Sequence, residues 1–167
     1  KTIRLSLFLF IIIAALSLAF AAYKRNTIYK DLVTIYLDEV NNSPKKSGLR
    51  NELGRAYLDK NMLDEAEREF KTAIELNPIT GAIYHRNLGI VYEKKELFEE
   101  AEREFNTAIN ISKYTFTKPL ITSEMIESQA RTNLGELYYK KGLFDNAIME
   151  YKEAVKLAPS AGVYNYL

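Results

Sequence analysis

The sequence contains no cysteine, no tryptophan and a single histidine in 167 residues. The absence of cysteine excludes disulfides, thiolate zinc sites and a cysteine nucleophile. One histidine cannot supply metal chemistry built on paired imidazoles. Net charge is also scarce. Twenty-three Lys and Arg face 22 Asp and Glu, leaving +1, so there is no basic footprint for nucleic acid. No glycine-rich phosphate loop occurs. With 47% hydrophobic and 27% charged residues, the chain has enough apolar material to fold. No cofactor, metal or nucleic acid is expected, and no catalytic constellation is found in this chain.

Charge and hydropathy divide unevenly. Residues 5–22 (LSLFLFIIIAALSLAFAA) carry no charge, and eleven of these eighteen are Leu, Ile or Phe. As a helix they span about 27 Å, close to the roughly 30 Å hydrocarbon core of a bilayer. A helix in a soluble core would show a polar stripe, and this run has none. Residues 1–24 are therefore read as a transmembrane helix, with the membrane as the partner of residues 5–22. The rival is a signal peptide cleaved after Ala21, since Ala19-Phe20-Ala21 has the small-x-small form. Lys24, Arg25 and Lys30 outweigh Lys1 and Arg4, which by the positive-inside rule puts the following region in the cytoplasm. Residues 1–46 hold seven basic and three acidic residues, so 47–167 holds 16 and 19 and carries −3.

Beyond residue 46 one pattern recurs. Leu53-Gly54-x-x-Tyr57 leads to Ala66, Phe70 and Ala73. Leu88-Gly89-x-x-Tyr92 leads to Ala101, Phe105 and Ala108. Leu134-Gly135-x-x-Tyr138 leads to Ala147, Tyr151 and Ala154. The offsets within each copy are identical: three, twelve, four and three residues from glycine onward, counted step by step to Tyr, from Gly to the first Ala, then to the aromatic and the second Ala. A mid-helix glycine costs about 1 kcal/mol against alanine, so each needs a packing reason. The expected reason is close approach of the second helix, with Ala66, Ala101 and Ala147 as small partners and Phe70, Phe105 and Tyr151 filling space between units. The spacing predicts helices at 49–60, 64–76, 82–95, 99–111, 123–141 and 145–157. Asp64 and Asp145 are expected N-caps, Glu99 a weaker one, and Pro78 and Pro159 helix stops.

These copies resemble the tetratricopeptide repeat (TPR), a helix–turn–helix of about 34 residues. The resemblance implies an all-α right-handed solenoid behind the N-terminal membrane helix. Its parts are a transmembrane helix (1–24), a juxtamembrane half-repeat helix (25–46), TPR 1 (47–81), TPR 2 (82–115), an insertion (116–127), TPR 3 (128–160) and the start of a truncated fourth repeat (161–167). The half-repeat rests on Leu32, Tyr36, Val40 and Pro44. The fourth rests on Tyr164 and Leu167. Gly89 to Gly135 is 46 residues, which places the insertion, read as a loop or as a ligand-facing element. Ser123 is the expected cap of a lengthened helix.

Such solenoids act by binding. First helices line a concave groove for an extended peptide or partner helix. By register, that groove presents Asn51, Arg55, Leu58, Arg86, Asn87, Ile90, Thr132, Asn133, Glu136 and Tyr139, and its partner is a protein or peptide. One subset of the family grips a chaperone's C-terminal carboxylate. Only Asn87 matches that subset. Asn51, Arg55, Gln129 and Asn133 replace its other residues, which argues against a chaperone-tail receptor. His85 is read as a packing or surface histidine at the aromatic position of its repeat. The acid runs at 64–69 and 99–104 are read as solvated helix faces.

The junction Tyr23-Lys24-Arg25-Asn26-x-x-Tyr29-x-Asp31-x-x-x-x-Tyr36, running to Ser43-Pro44, is similar to that of transmembrane TPR-containing O-mannosyltransferases and their bacterial relatives, although Tyr29 and Tyr36 stand where that family usually has tryptophan. The resemblance implies that this region is the acceptor-binding C-terminal arm of a multi-span glycosyltransferase. It carries no catalytic residue into this chain and places the repeats outside the cytoplasm, in periplasm or lumen, against the positive-inside reading. The alternative is a single-span TPR scaffold that assembles a membrane or envelope complex.

Overall fold

The computed structural model describes residues 2–79, 81–114 and 120–158, with side chains outside 2–11, 22, 25–31 and 120–122. Seven helices follow one another: α1 (Thr2–Asn42), α2 (Ser47–Asp59), α3 (Leu63–Leu76), α4 (Ala82–Lys94), α5 (Phe98–Tyr114), α6 (Leu120–Lys140) and α7 (Phe144–Leu157). Helices α2–α7 form three antiparallel hairpins, and each hairpin packs on the next through α3 against α4 and α5 against α6. The first helices α2, α4 and α6 also touch in series. The result is an all-α solenoid.

The turns inside the hairpins explain the helix boundaries. Asn61, Glu96 and Gly142 all take positive φ, at 60°, 60° and 75°. The next amide then reaches back to the repeat tyrosine: Met62 N to Tyr57 O, Leu97 N to Tyr92 O and Leu143 N to Tyr138 O, each 2.9 Å. This left-handed closure satisfies carbonyls at the end of the first helix. It also starts the second helix early. Met62 and Leu143 hold the N-cap positions of α3 and α7 without side-chain caps. Asp64, Glu99 and Asp145 lie inside the first turns. They are not the caps expected, and act there as charges on the positive end of the helix dipole.

Each repeat glycine faces the aromatic of its own second helix. A Cβ on Gly54 would lie 2.7 Å from the Phe70 ring. Gly89 against Phe105 and Gly135 against Tyr151 leave 2.6 Å. Phe70 and Phe105 are fully buried. The aromatics therefore pack against the glycine of their own unit, and Phe70 and Phe105 also belong to one buried cluster that runs through all three repeats.

Helix α6 has 21 residues against 13 for α2 and α4. Much of the expected insertion 116–127 is thus extra turns at its N-terminal end. Helix α6 begins at Leu120, so Ser123 lies within it and is not its cap. Residues 115–119 and the expected fourth repeat at 161–167, with Pro159, lie outside the described residues.

Helix α1 continues without a break from the apolar run into the half-repeat, and its C-terminal part packs on α2. Val40 is buried, with Val33 and Tyr36 against the same core. Further back, Ile13, Leu16, Leu18 and Phe20 stand exposed. The expected membrane helix 1–24 lies partly outside the described side chains. Among the described residues, no helix is long and apolar enough to cross a membrane.

Candidate functional site

The predicted groove residues lie on the first helices α2, α4 and α6, which touch in series, but they are presented unequally. Asn51 and Asn87 are buried. Asn87 Nδ2 donates to Asn51 Oδ1 at 2.8 Å, and Asn51 Nδ2 donates to Glu52 Oε1 at 3.0 Å. These asparagines tie α2 to α4. Leu58 and Ile90 are half-buried against the core. Thr132 Oγ1 donates to the Ser128 carbonyl at 2.9 Å, inside α6. Asn133 and Glu136 are half-buried. Tyr139 is exposed and meets Phe144 edge to face, with centroids 5.5 Å apart.

Arg55 and Arg86 supply the charge. Arg55 is exposed and pairs with Glu52 at 3.1 Å. Arg86 is half-buried and donates through Nη1 to Gln129 Oε1. Its Nε is buried without a hydrogen-bond partner. Burial first, and then the neighbouring Arg55, push the Arg86 guanidinium below its ordinary pKa. Among the described residues no carboxylate pairs with Arg86. A half-buried guanidinium lacking a counterion is costly, and the cost falls when an anion arrives.

The other charges are committed to structure. Arg50 Nη1 meets Glu69 Oε2 at 2.8 Å, His85 Nδ1 meets Glu104 Oε2 at 2.7 Å, and Arg131 Nη1 meets Glu150 Oε2 at 2.8 Å. The three pairs occupy the same place in each repeat, three residues before the Leu-Gly and one before the second-helix aromatic. His85 is thus the partner of a buried carboxylate and not simply a packing histidine. A second set joins neighbouring repeats. Lys95 Nζ reaches Asp64 and Glu67 at 2.5 and 2.6 Å, and Lys141 Nζ reaches Glu102 at 3.1 Å. Tyr138 Oη donates to Glu102 at 3.0 Å. The acid runs are therefore only partly solvated: Glu67, Glu69, Glu102 and Glu104 face inward and are paired. Burial pushes Glu67 up, but hydrogen bonds from Lys71 and Lys95 outweigh it and hold the carboxyl below its usual range. Among the described residues no cluster of His, Cys, Asp and Glu could hold a metal.

The comparisons with known proteins agree with this geometry. Two family profiles, each described as tetratricopeptide repeat, match residues 51–114 and 128–160 and together cover more than half of the chain. The chain belongs to the tetratricopeptide-repeat family. No curated protein matches the TPR chain in sequence. Among solved structures, it is similar to a thermophilic TPR protein of Thermus thermophilus at 22% identity and a TM-score of 0.70, over 85% of this chain and 73% of that one. It is similar to the N-terminal domain of stress-induced protein-1 from C. elegans at 17% identity and 0.60, over 71% and 89%. The first TPR of Spaghetti (RPAP3), bound to the HSP90 peptide SRMEEVD, matches at 18% identity and 0.59, over 72% and 85%. At these identities the likeness is one of fold. The repeats form a TPR protein-interaction module.

Proposed function

We propose that this chain is a membrane-anchored TPR module that holds an extended, acidic segment of a partner protein in its concave face. The observation that carries the reading is Arg86, a half-buried guanidinium with an unpartnered Nε, beside Arg55 and without a carboxylate of its own among the described residues. An acidic side chain or chain terminus would supply the missing bidentate acceptor. The anchor is the charge-free run 5–22, whose described Leu, Ile and Phe side chains stand exposed on α1. Within that frame the junction at 23–44 supports a role as the acceptor-binding arm of a multi-span glycosyltransferase, with the repeats in periplasm or lumen. The Spaghetti TPR binds an acidic peptide, but here Asn87 is the only residue in common with the chaperone-binding pattern, and it is bonded to Asn51.

Two measurements test this. Titration of the chain in phosphatidylcholine nanodiscs with an extended glutamate-containing peptide should show binding that the glutamine counterpart lacks. Equal affinity for both would overturn the acidic-segment reading. The reading frame upstream of Lys1 should encode further apolar spans. A start codon within a few residues would replace the glycosyltransferase arm with a single-span scaffold.

A further inference from the structure

Arg86 and Gln129 meet across two repeats. Arg86 lies on α4 and Gln129 on α6, and Arg86 Nη1 donates to the side-chain carbonyl Oε1 of Gln129. A carboxylate grips a guanidinium with both oxygens in one of two ways. The end-on way uses both Nη groups, and Nη1 already carries Gln129. The side-on way uses Nε, which is buried. An end-on grip therefore competes with Gln129, and a side-on grip needs Nε uncovered.

The surroundings of Gln129 favour its giving way. Glu127, Ser128 and Ala130 are buried, whereas Gln129 between them is exposed. Ser128 Oγ donates to the Ala154 carbonyl at 3.0 Å. Arg131 bridges Glu127 at 2.9 Å and Glu150 at 2.8 Å. The stretch of α6 that carries Gln129 is thus pinned to α7, and the exposed amide can turn without moving it. The joint between α4 and α6 does not hang on Gln129 either. Lys140 Nζ on α6 meets Glu93 Oε1 on α4 at 2.6 Å. Turning Gln129 aside costs one hydrogen bond and opens Nη1.

We infer that Gln129 is a displaceable gate on Arg86, a neutral stand-in that holds the guanidinium until a partner's carboxylate takes its place. The inference rests on the acidic-segment reading above and names the residue that regulates that site. An amide carbonyl from a partner would exchange like for like on the same nitrogen and gain nothing. A carboxylate replaces a neutral acceptor with a charge-assisted one, which is about twice as strong, and brings the counterion that Arg86 lacks. The gate thus lowers the affinity of every segment alike, and only an acidic one has the surplus to open it.

Variants of the full chain in phosphatidylcholine nanodiscs test this, with an extended peptide bearing one glutamate as the probe. Gln129→Ala removes the competing acceptor and should bind the peptide about 2- to 10-fold tighter than the native chain, the net strength of one hydrogen bond. Gln129→Glu puts a carboxylate where the amide stood. It should weaken peptide binding by about tenfold or more. It should also raise the melting temperature, and do so only while Arg86 is present and not on an Arg86→Gln background. Peptide binding by the native chain that Gln129→Ala leaves unchanged or weakens would overturn the gate and leave the acidic-segment reading standing. A melting temperature that Gln129→Glu does not raise, or raises equally with and without Arg86, would overturn the gate independently of any peptide. Absence of peptide binding in both the native chain and Gln129→Ala would overturn the acidic-segment reading and the gate with it.

Discussion

At the scale of single residues, the repeat is a matter of where a Cβ fits. Gly89 faces the Phe105 ring so closely that an alanine Cβ would stand 2.6 Å from it. Alanine improves helix propensity by about 1 kcal/mol, yet forced overpacking costs about 1–3 kcal/mol, and the buried ring has little room to retreat. Gly89→Ala should therefore lower stability in chemical denaturation by about 1 kcal/mol net; a more stable variant would contradict the packing. Glu96 presents the opposite case. It is an exposed glutamate at φ 60° where repeat three has Gly142. A left-handed non-glycine residue costs about 1–2 kcal/mol, partly offset by the extra freedom glycine gives the unfolded chain. Glu96→Gly should raise the melting temperature, by about 0.5–1 kcal/mol of stability. The glycine–aromatic spacing was readable in the sequence because it repeats in register. The positive-φ turn was not, because Asn, Glu and Gly share no chemistry that marks it.

At the scale of helices and hairpins, charge does more than the acid-rich second helices suggest. The pairs Arg50–Glu69, His85–Glu104 and Arg131–Glu150 were hidden because the position three before Leu-Gly is often aromatic in this repeat, which led His85 to be read as packing. Aligning the three copies column by column shows a base there every time and a glutamate opposite every time. Helix ends were misjudged for a related reason. An Asp near a helix start reads as a cap, whereas the hairpin closure places the cap two residues earlier. Between repeats, Tyr138 reports on the joint. Burial, and then its hydrogen bond to Glu102, push its phenol from 10.0 up to about 12. The fold favours the neutral form, so this contribution is complete below pH 10.0, declines as pH rises toward about 12, and is gone above. Urea midpoints measured across that window should fall, and Tyr138→Phe should flatten the fall; a variant that keeps the native pH dependence would place the alkaline loss elsewhere.

At the scale of the whole molecule, the repeats and the apolar run were legible because each is a pattern over many residues, and period survives substitution. What a groove residue does was not legible. Register puts Asn51, Arg86 and Asn87 on one face alike, but only side-chain pairing separates two asparagines bonded to each other from an arginine left with an unpartnered nitrogen. In the proposed reading that arginine trades stability for binding. The most direct test is one variant, Arg86→Gln, read twice in the full chain. Removing a half-buried cation that lacks a counterion should leave the melting temperature unchanged or raised, and should abolish binding of the glutamate-containing peptide. A variant that binds the peptide as the native chain does, or that melts lower because Arg86 was holding the repeats together, would contradict it.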